Sequence, residues 1–249
     1  MEPGEYEVMY RVEDVHWWYR ALHELVLHFV SEENRKKGQL HIFDAGCGTG
    51  RLCQLMSAYG DVTGCDISDL ALEFCRKRKV PSVFRADLND IELGPGRYDI
   101  ITSVDVLYHK AVRDDSFVLR KLYHALKPGG VIILNLVAYN FLKSFHDIAV
   151  HTERRYKRKD VIQQLTDAGF TVEKASYRVG FLFLPITCYR LIQKTFLKYP
   201  EAREARSDLH VPPRFLNKML LRCNLIENIF IKNFGIPFGT SIFAVARKV

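Results

Sequence analysis

The sequence predicts an α/β fold, a mostly parallel sheet wound on both faces by helices. Three observations carry this reading. Short apolar runs alternate with amphipathic stretches from about residue 40 onwards. Those runs, HIFDA (41–45), YDIITSV (98–104) and VIILNLVA (131–138), are continuously apolar, as strands covered on both faces are. A glycine cluster, DAGCGTG (44–50), joins the first run to a helical stretch, where the backbone can turn tightly and approach a ligand.

Taken in order, Trp18, Leu22, Leu25, Val26 and Phe29 keep helical spacing and predict a helix over about 14–33, within an N-terminal cap of residues 1–38. HIFDA is the first strand, 51–59 a helix, DVTGCD (61–66) a strand, 70–79 a helix and 82–84 a short strand. YDIITSV follows as a strand. Residues 114–126 form a helix with Val118, Leu122 and Leu126 on one face. LKPGG (126–130) reads as a turn before the strand 131–138. A helix at 160–168 ends at Gly169, a C-terminal cap. The strand 170–179 follows, then a helical insert over 181–239, and SIFAVARK (241–248) as the last strand. Within the insert, the helix RFLNKMLLRCNL starts after Pro212-Pro213.

The 249 residues are 48% hydrophobic, enough for one generous domain with a large core. No apolar run reaches the ~18–20 residues of a membrane span. The acidic start lacks the apolar stretch of a secretory signal. The six cysteines form no CxxC pair and are expected as free thiols in the cytoplasm. The net charge of +7, from 36 Lys and Arg against 29 Asp and Glu, favours anionic partners only weakly.

In the glycine cluster the spacing is GxGxG, and Arg51 stands where a dinucleotide fingerprint has its third glycine. That speaks against a nicotinamide-dependent oxidoreductase. No Gly-Lys-Ser/Thr follows, so it is not a P-loop. Asp66, twenty residues after Gly46 at the end of the next strand, stands where a ribose diol is gripped in doubly wound sheets.

DAGCGTG (44–50), CDIS (65–68), RADL (85–88), YDIITSVDVLYH (98–109) and LKPGG (126–130) occur in this order over residues 40–138. Together they resemble the class I S-adenosylmethionine-dependent methyltransferases. The resemblance implies a Rossmann-like seven-stranded sheet of order 3-2-1-4-5-7-6 with strand seven antiparallel, and S-adenosylmethionine as cofactor. It implies that Asp44, Gly46, Cys47, Gly48 and Gly50 build the cofactor loop, that Asp66 holds the ribose and that Ile67 packs on the adenine. Asp87 and the Leu88 backbone would take the adenine edge, with Val104 and Asp105 at the methionine end. HWWYRAL near the N-terminus and the C-terminal half further resemble a bacterial and archaeal subgroup often found beside genes for glycan or natural-product assembly. The minimal fold joins strands six and seven by a hairpin, so the insert is a departure that can build a substrate pocket or a dimer face.

Methyl transfer from a sulfonium is an in-line displacement in which the protein mainly positions the acceptor. An alcohol or phenol also needs a base, and His109, after the fourth strand, is the candidate. Arg20, on the N-terminal helix off the stripe of Trp18, could pair with the methionine carboxylate, with His16 and Trp17 beside it. Tyr108, His146, His151, Arg154, Arg155 and Tyr156 are candidate acceptor contacts. All but Tyr108 lie in the basic stretch FHDIAVHTERRYKRK (145–159) beyond the fifth strand, where His146, Asp147 and His151 are expected on one helix. His146 and His151, five apart, make a poor metal pair. Arg158 and Lys159 read as the solvated start of the next helix. The chain carries no zinc knuckle, RNA-binding strand or Asn/Asp-Pro-Pro-Tyr signature, so nucleic acid is disfavoured as substrate. The expected activity is methylation of a small molecule or glycan, mostly at oxygen. A cofactor-binding regulator without catalysis, or an RNA or protein methyltransferase, are the alternatives. GFLFLPITCYRLIQKTFLKY (180–199) reads as core helix, or as a surface resting on a membrane to receive lipid-linked substrates.

Overall fold

The computed structural model describes residues 3–196 and 209–249. The first two residues of the expected cap and the 197–208 part of the insert lie outside the described residues. The strands are β1 (Leu40–Ala45), β2 (Gly60–Asp66), β3 (Ser82–Arg85), β4 (Tyr98–Val104), β5 (Leu126–Val137), β6 (Phe170–Arg178) and β7 (Ser241–Lys248). They form one seven-stranded sheet of order β3-β2-β1-β4-β5-β7-β6. β7 runs antiparallel between β5 and β6, and the other pairs are parallel.

Strand periodicity builds two cores. Phe43, Ile101 and Ile132 face the layer of α5 (Asp115–Ala125) and α7 (Arg158–Asp167), packing with Leu119, Leu122 and Leu165. Their neighbours Ile42, Ile100 and Ile133 face the opposite layer. There they meet α2 (Trp17–Lys37) through Leu22, Leu25 and Val26, α3 (Arg51–Met56) through Leu52 and α4 (Asp69–Lys77) through Leu72. Each such side chain, taken out of water, stabilises the fold by about 1.5–3 kcal/mol. No disulfide joins the six cysteines.

Several elements differ from expectation for identifiable reasons. The LKPGG segment lies inside β5 as an irregularity. Tyr98 pairs with Leu126 but Ile100 with Val131, and Gly129 takes φ +70° within the bulge. The N-terminal cap holds two helices, α1 (Pro3–Val12) and α2. They break at Glu13, which turns inward to Thr49 and Arg78. His16 then caps α2 by accepting the Trp18 N–H at 3.2 Å. α1 hides in an acidic sequence because its packing is aromatic, Tyr10 stacking on Phe74 at 4.6 Å between ring centres. The helix expected to carry both His146 and His151 is α6 (Phe145–Ala149), which stops before His151, a residue at φ +54°.

The insert supplies α8 (Phe183–Phe196) and α9 (Arg214–Asn233). α9 docks on α2: Asn228 donates to the Ala21 carbonyl at 2.8 Å, Lys232 pairs with Glu24, and Leu221 packs with Trp17 and Ala21. Its Glu227 accepts the N–H groups of Val179, Gly180 and Phe181, which anchors the start of the insert. Trp17 is therefore buried, whereas Trp18 is only half-buried, the reverse of the expectation from the helical stripe.

Candidate functional site

The carboxyl ends of β1, β2, β4 and β5 open on a cavity of about 700 Å³, whose walls also include residues of α1, α2 and the insert. That is within the range of ligand sites, about 300–1,000 Å³. The loop after β1 is folded back by two N–H groups, those of Gly46 and Cys47, which both donate to the Cys65 carbonyl at 2.9 and 2.8 Å. Gly46 sits at φ +85°, and a Cβ there would stand 2.3 Å from the Val106 side chain. A Cβ on Gly48 would meet the Met9 methyl of α1 at 2.7 Å. The loop therefore presents bare backbone to the cavity, a cradle that side chains would fill. Gly50 starts α3 against Cys75 and does not line the cavity.

Beneath the loop, Asp44 accepts the Thr102 hydroxyl at 2.7 Å and the Cys53 thiol at 3.2 Å, and burial pushes it up to about 6. At the end of β2, Asp66 accepts the Gly48 N–H and the Ser68 N–H, each at 2.9 Å, and the Tyr6 hydroxyl of α1 at 3.5 Å. Burial raises its pKa and these donors oppose the rise. Ile67, 44% exposed, stands at the rim. Asp87 accepts both the backbone N–H and the side-chain amide of Asn89 and lines the cavity with Leu88. This set of open backbone, anchored carboxylates and apolar rim can hold a nucleoside-bearing cofactor.

At the end of β4 lie Val104 and Asp105, both on the cavity wall. Asp105 takes φ +59°, a left-handed conformation costly for a non-glycine residue. Asn135 of β5 holds it there, donating from its amide to Oδ1 at 3.0 Å and accepting the Asp105 N–H at 2.9 Å. Burial pushes the Asp105 carboxyl up to about 7, against the Asn135 bond and the charge of Arg178. Arg178 ends β6, is fully buried, and lies with its guanidinium 5.0 Å from the centre of the Trp18 ring while donating to the Trp18 carbonyl at 3.0 Å. Burial lowers its pKa to about 10.

Tyr108, His109, His146 and Arg155 also line the cavity. His109 accepts the Ala111 N–H on Nδ1 at 3.0 Å. Burial, with the neighbouring His151, lowers it to about 4, so the ring is neutral near pH 7. That bond makes Nδ1 an acceptor, which assigns the proton of the neutral ring to Nε2.

Five expected site residues do not line the cavity: Gly50, Arg20, His151, Arg154 and Tyr156. Arg20 is exposed and borders a separate groove with Asp14 and Glu24. Arg154 donates to the Val112 carbonyl at 2.8 Å and sits 3.7 Å from Asp115, and Tyr156 donates to Asp115 at 2.6 Å. Arg155 reaches the cavity wall, yet its guanidinium is spent on Asp147, at 2.8 and 3.0 Å, and on the Ala138 carbonyl at 2.8 Å. The basic stretch is thus a clamp that fixes the segment after β5, built on buried carboxylates. Sequence reasoning missed Tyr6, Met9, Glu13, Tyr19 and His23 on the wall, and Asn135 and Arg178 behind it. An Arg at the last position of a strand, on the side of the sheet where the other strands' carboxyl ends open, was the available signal for Arg178. Among the described residues no three metal-ligating side chains converge.

A family model described as a methyltransferase domain matches residues 43–134. Over 212 residues the chain is 30% identical to the ubiquinone biosynthesis O-methyltransferase of Pseudomonas paraeruginosa, covering 74% of this chain and 89% of that one. The corresponding enzyme of Pseudomonas aeruginosa is 30% identical over 139 residues, and the match spans 59% of its length and 50% of this chain. Among solved structures, an S-adenosylmethionine-dependent methyltransferase from Mesorhizobium loti is similar, with a TM-score of 0.60 and 17% identity, covering 95% of this chain and all of that one (100%). Another from Thermotoga maritima gives a TM-score of 0.60 at 18% identity, covering 99% and 96%.

Proposed function

We propose that this chain, which belongs to the class I S-adenosylmethionine-dependent methyltransferases, methylates a hydroxyl oxygen on a small, largely apolar acceptor with Asp105 as the base. S-adenosylmethionine, the cofactor of the family, supplies a methyl group activated on a sulfonium. The bare backbone of Gly46 and Gly48 supports its placement in the cradle, with Asp66 toward the ribose hydroxyls, Ile67 and Leu88 against the adenine and Asp87 toward its amino group. Asp44 acts from below, holding the loop through Cys53 and the β4 strand through Thr102.

The observation that carries the oxygen assignment is Asp105. A hydroxyl is a weak nucleophile until its proton is removed. A base works best with a pKa near the working pH, and Asp105 is pushed up to about 7 on the cavity wall. Its Oδ1 is held by Asn135, so Oδ2 takes the proton. Asn135 and the left-handed backbone fix the carboxyl, and Arg178 stabilises its ionised form. His109 supports acceptor binding as an Nε2–H donor, with Tyr108 and His146 beside it. The name of the Pseudomonas relative, an O-methyltransferase, agrees with this class of chemistry.

Calorimetry with S-adenosylmethionine tests the cofactor, with Asp66→Ala as control. Labelled methyl donor with a panel of phenols and alcohols tests the acceptor. Tight cofactor binding without methyl transfer to any hydroxyl, in the panel or in cell extract, would leave a cofactor-binding regulator and defeat the proposal.

A further inference from the structure

We infer that the insert seats the protein on an anionic membrane surface, with the cavity fed by a bilayer-resident acceptor that has a hydroxylated head and a hydrocarbon tail. The seating stands on the surface alone, and the feeding rests on the methyltransferase reading. α9 has two unlike sides. Leu221, Asn224, Asn228 and Ile231 are buried, on the side that packs against α2 and β6. Phe215, Met219, Ile226, Ile229, Phe230 and Phe234 are exposed, Phe215 and Phe234 by 83% and 85%. At about 100° per residue these six fall within about 140° of the helix circumference. Such a strip on an otherwise packed helix is an interaction surface.

Charge identifies what covers it. Arg214, Lys218 and Arg222 are exposed on the same helix. Its one acid, Glu227, is buried on the N–H groups that open the insert. The sequence of α8, FLPITCYRLIQKTF, has no acid at all, and it exposes Leu184, Leu191 and Ile192. Among the described residues, the exposed surface of the two helices is therefore apolar, with cations on α9 and no exposed acid. A second copy docked on α9 would bury Arg214, Lys218 and Arg222 with no acid to face, because the helix exposes none. An anionic headgroup layer above hydrocarbon matches both halves. Among the described residues no helix is long and apolar enough to cross a membrane, so the contact lies in the plane of the surface. The same segment reaches the site: Ile186, Tyr189 and Arg190 of α8, and His210 and Pro212 just before α9, line the cavity. An acceptor leaving the bilayer at the insert meets the cavity wall directly.

The test is flotation of the full chain with phosphatidylcholine vesicles with and without phosphatidylglycerol. The expected result is co-flotation that needs phosphatidylglycerol and is released by high salt. Lys218→Glu with Arg222→Glu is expected to weaken partitioning at least about tenfold. Phe230→Ser with Phe234→Ser is expected to abolish it at low salt. Both double variants should keep parental cofactor affinity by calorimetry, since none of these residues lines the cavity. Absence of co-flotation with phosphatidylglycerol would overturn the seating. So would self-association in sedimentation that Phe230→Ser with Phe234→Ser removes, without lipid binding, because the strip would then be a dimer face. Flotation by a protein that binds no cofactor would defeat the methyltransferase reading and leave the seating intact.

Discussion

Asp105→Asn replaces a half-buried carboxylate by its uncharged isostere, and it moves stability and activity in opposite directions. The carboxyl is pushed from 3.8 to about 7 in the folded protein. That is about three units, and at about 1.4 kcal/mol per unit the ionised form costs the fold about 4 kcal/mol. The folded pKa lies above the unfolded one. Between about pH 4 and pH 7 the folded protein therefore keeps a proton that the unfolded chain has lost, and stability falls as pH rises through that window. Below it the cost is absent, and above it the cost is complete. The asparagine can still accept the Asn135 amide through its carbonyl oxygen. Asp105→Asn is thus expected to equal the parent at pH 4 and to exceed it by up to about 4 kcal/mol at pH 8. Arg178, which loses a neighbouring negative charge, makes that figure a ceiling. Activity goes the other way. Loss of a general base costs about 100- to 10,000-fold in methyl transfer, far more than the change expected in cofactor affinity. In the parent, kcat/KM rises tenfold per pH unit below about 7 and then levels. Urea unfolding at the two pH values, a pH–rate profile and cofactor calorimetry read all three. A variant with parental turnover, or a stability difference that does not depend on pH, would refute the assignment of Asp105.

Asp66→Ala strands the Gly48 and Ser68 N–H groups and removes the carboxylate proposed to hold the ribose; loss of one charge-assisted bond, about 1.5–3 kcal/mol, predicts about 10- to 150-fold weaker cofactor binding by calorimetry. Arg155→Met leaves Asp147 buried and unpaired, and thermal unfolding is expected to show about 3–5 kcal/mol of destabilisation. Any protein that still folds should keep the parental acceptor KM, and a selective rise in KM with parental stability would instead restore Arg155 as an acceptor contact. Glu33 is depressed to about 2 because its bonds to Arg247 and Lys36 outweigh the opposing effect of burial. Its contribution is complete above its unfolded value near 4.5 and is lost as pH falls through about 2. Glu33→Gln is expected to flatten that acid limb in urea unfolding, and an unchanged limb would show that the ion pair contributes nothing.

The sheet was legible because its central strands bury both faces, so their composition announces them. VIILNLVA and SIFAVARK place Ile133 and Phe243 in one core and Ile132 and Ala244 in the other. The cofactor side was legible for a related reason: bare backbone at a fixed place in the sheet demands glycine, and glycine is visible in sequence. The acceptor side was not. Whether Arg154 and Arg155 meet a ligand or a buried Asp115 and Asp147 depends on partners about 40 and 8 residues away, and charge in sequence carries no record of its partner. For His109 the partner is more local still, a backbone N–H two residues on that its Nδ1 accepts.

Arg51 shows how such a departure from a known pattern can report on structure. A dinucleotide site keeps glycine there so that helix and strand can pack closely. In this chain Arg51, on the cavity wall, pairs with Asp14 in the connection between α1 and α2. Arg78 reaches the same Asp14 and the buried Glu13, and lies 4.5 Å from the centre of the Tyr10 ring. Glu13 then accepts the Thr49 hydroxyl of the glycine loop, and Tyr6 donates to Asp66. The residue that removes one kind of cofactor site thus belongs to a lattice of contacts that fastens the N-terminal segment over another. Met9, above Gly48, lies where that segment meets the cradle.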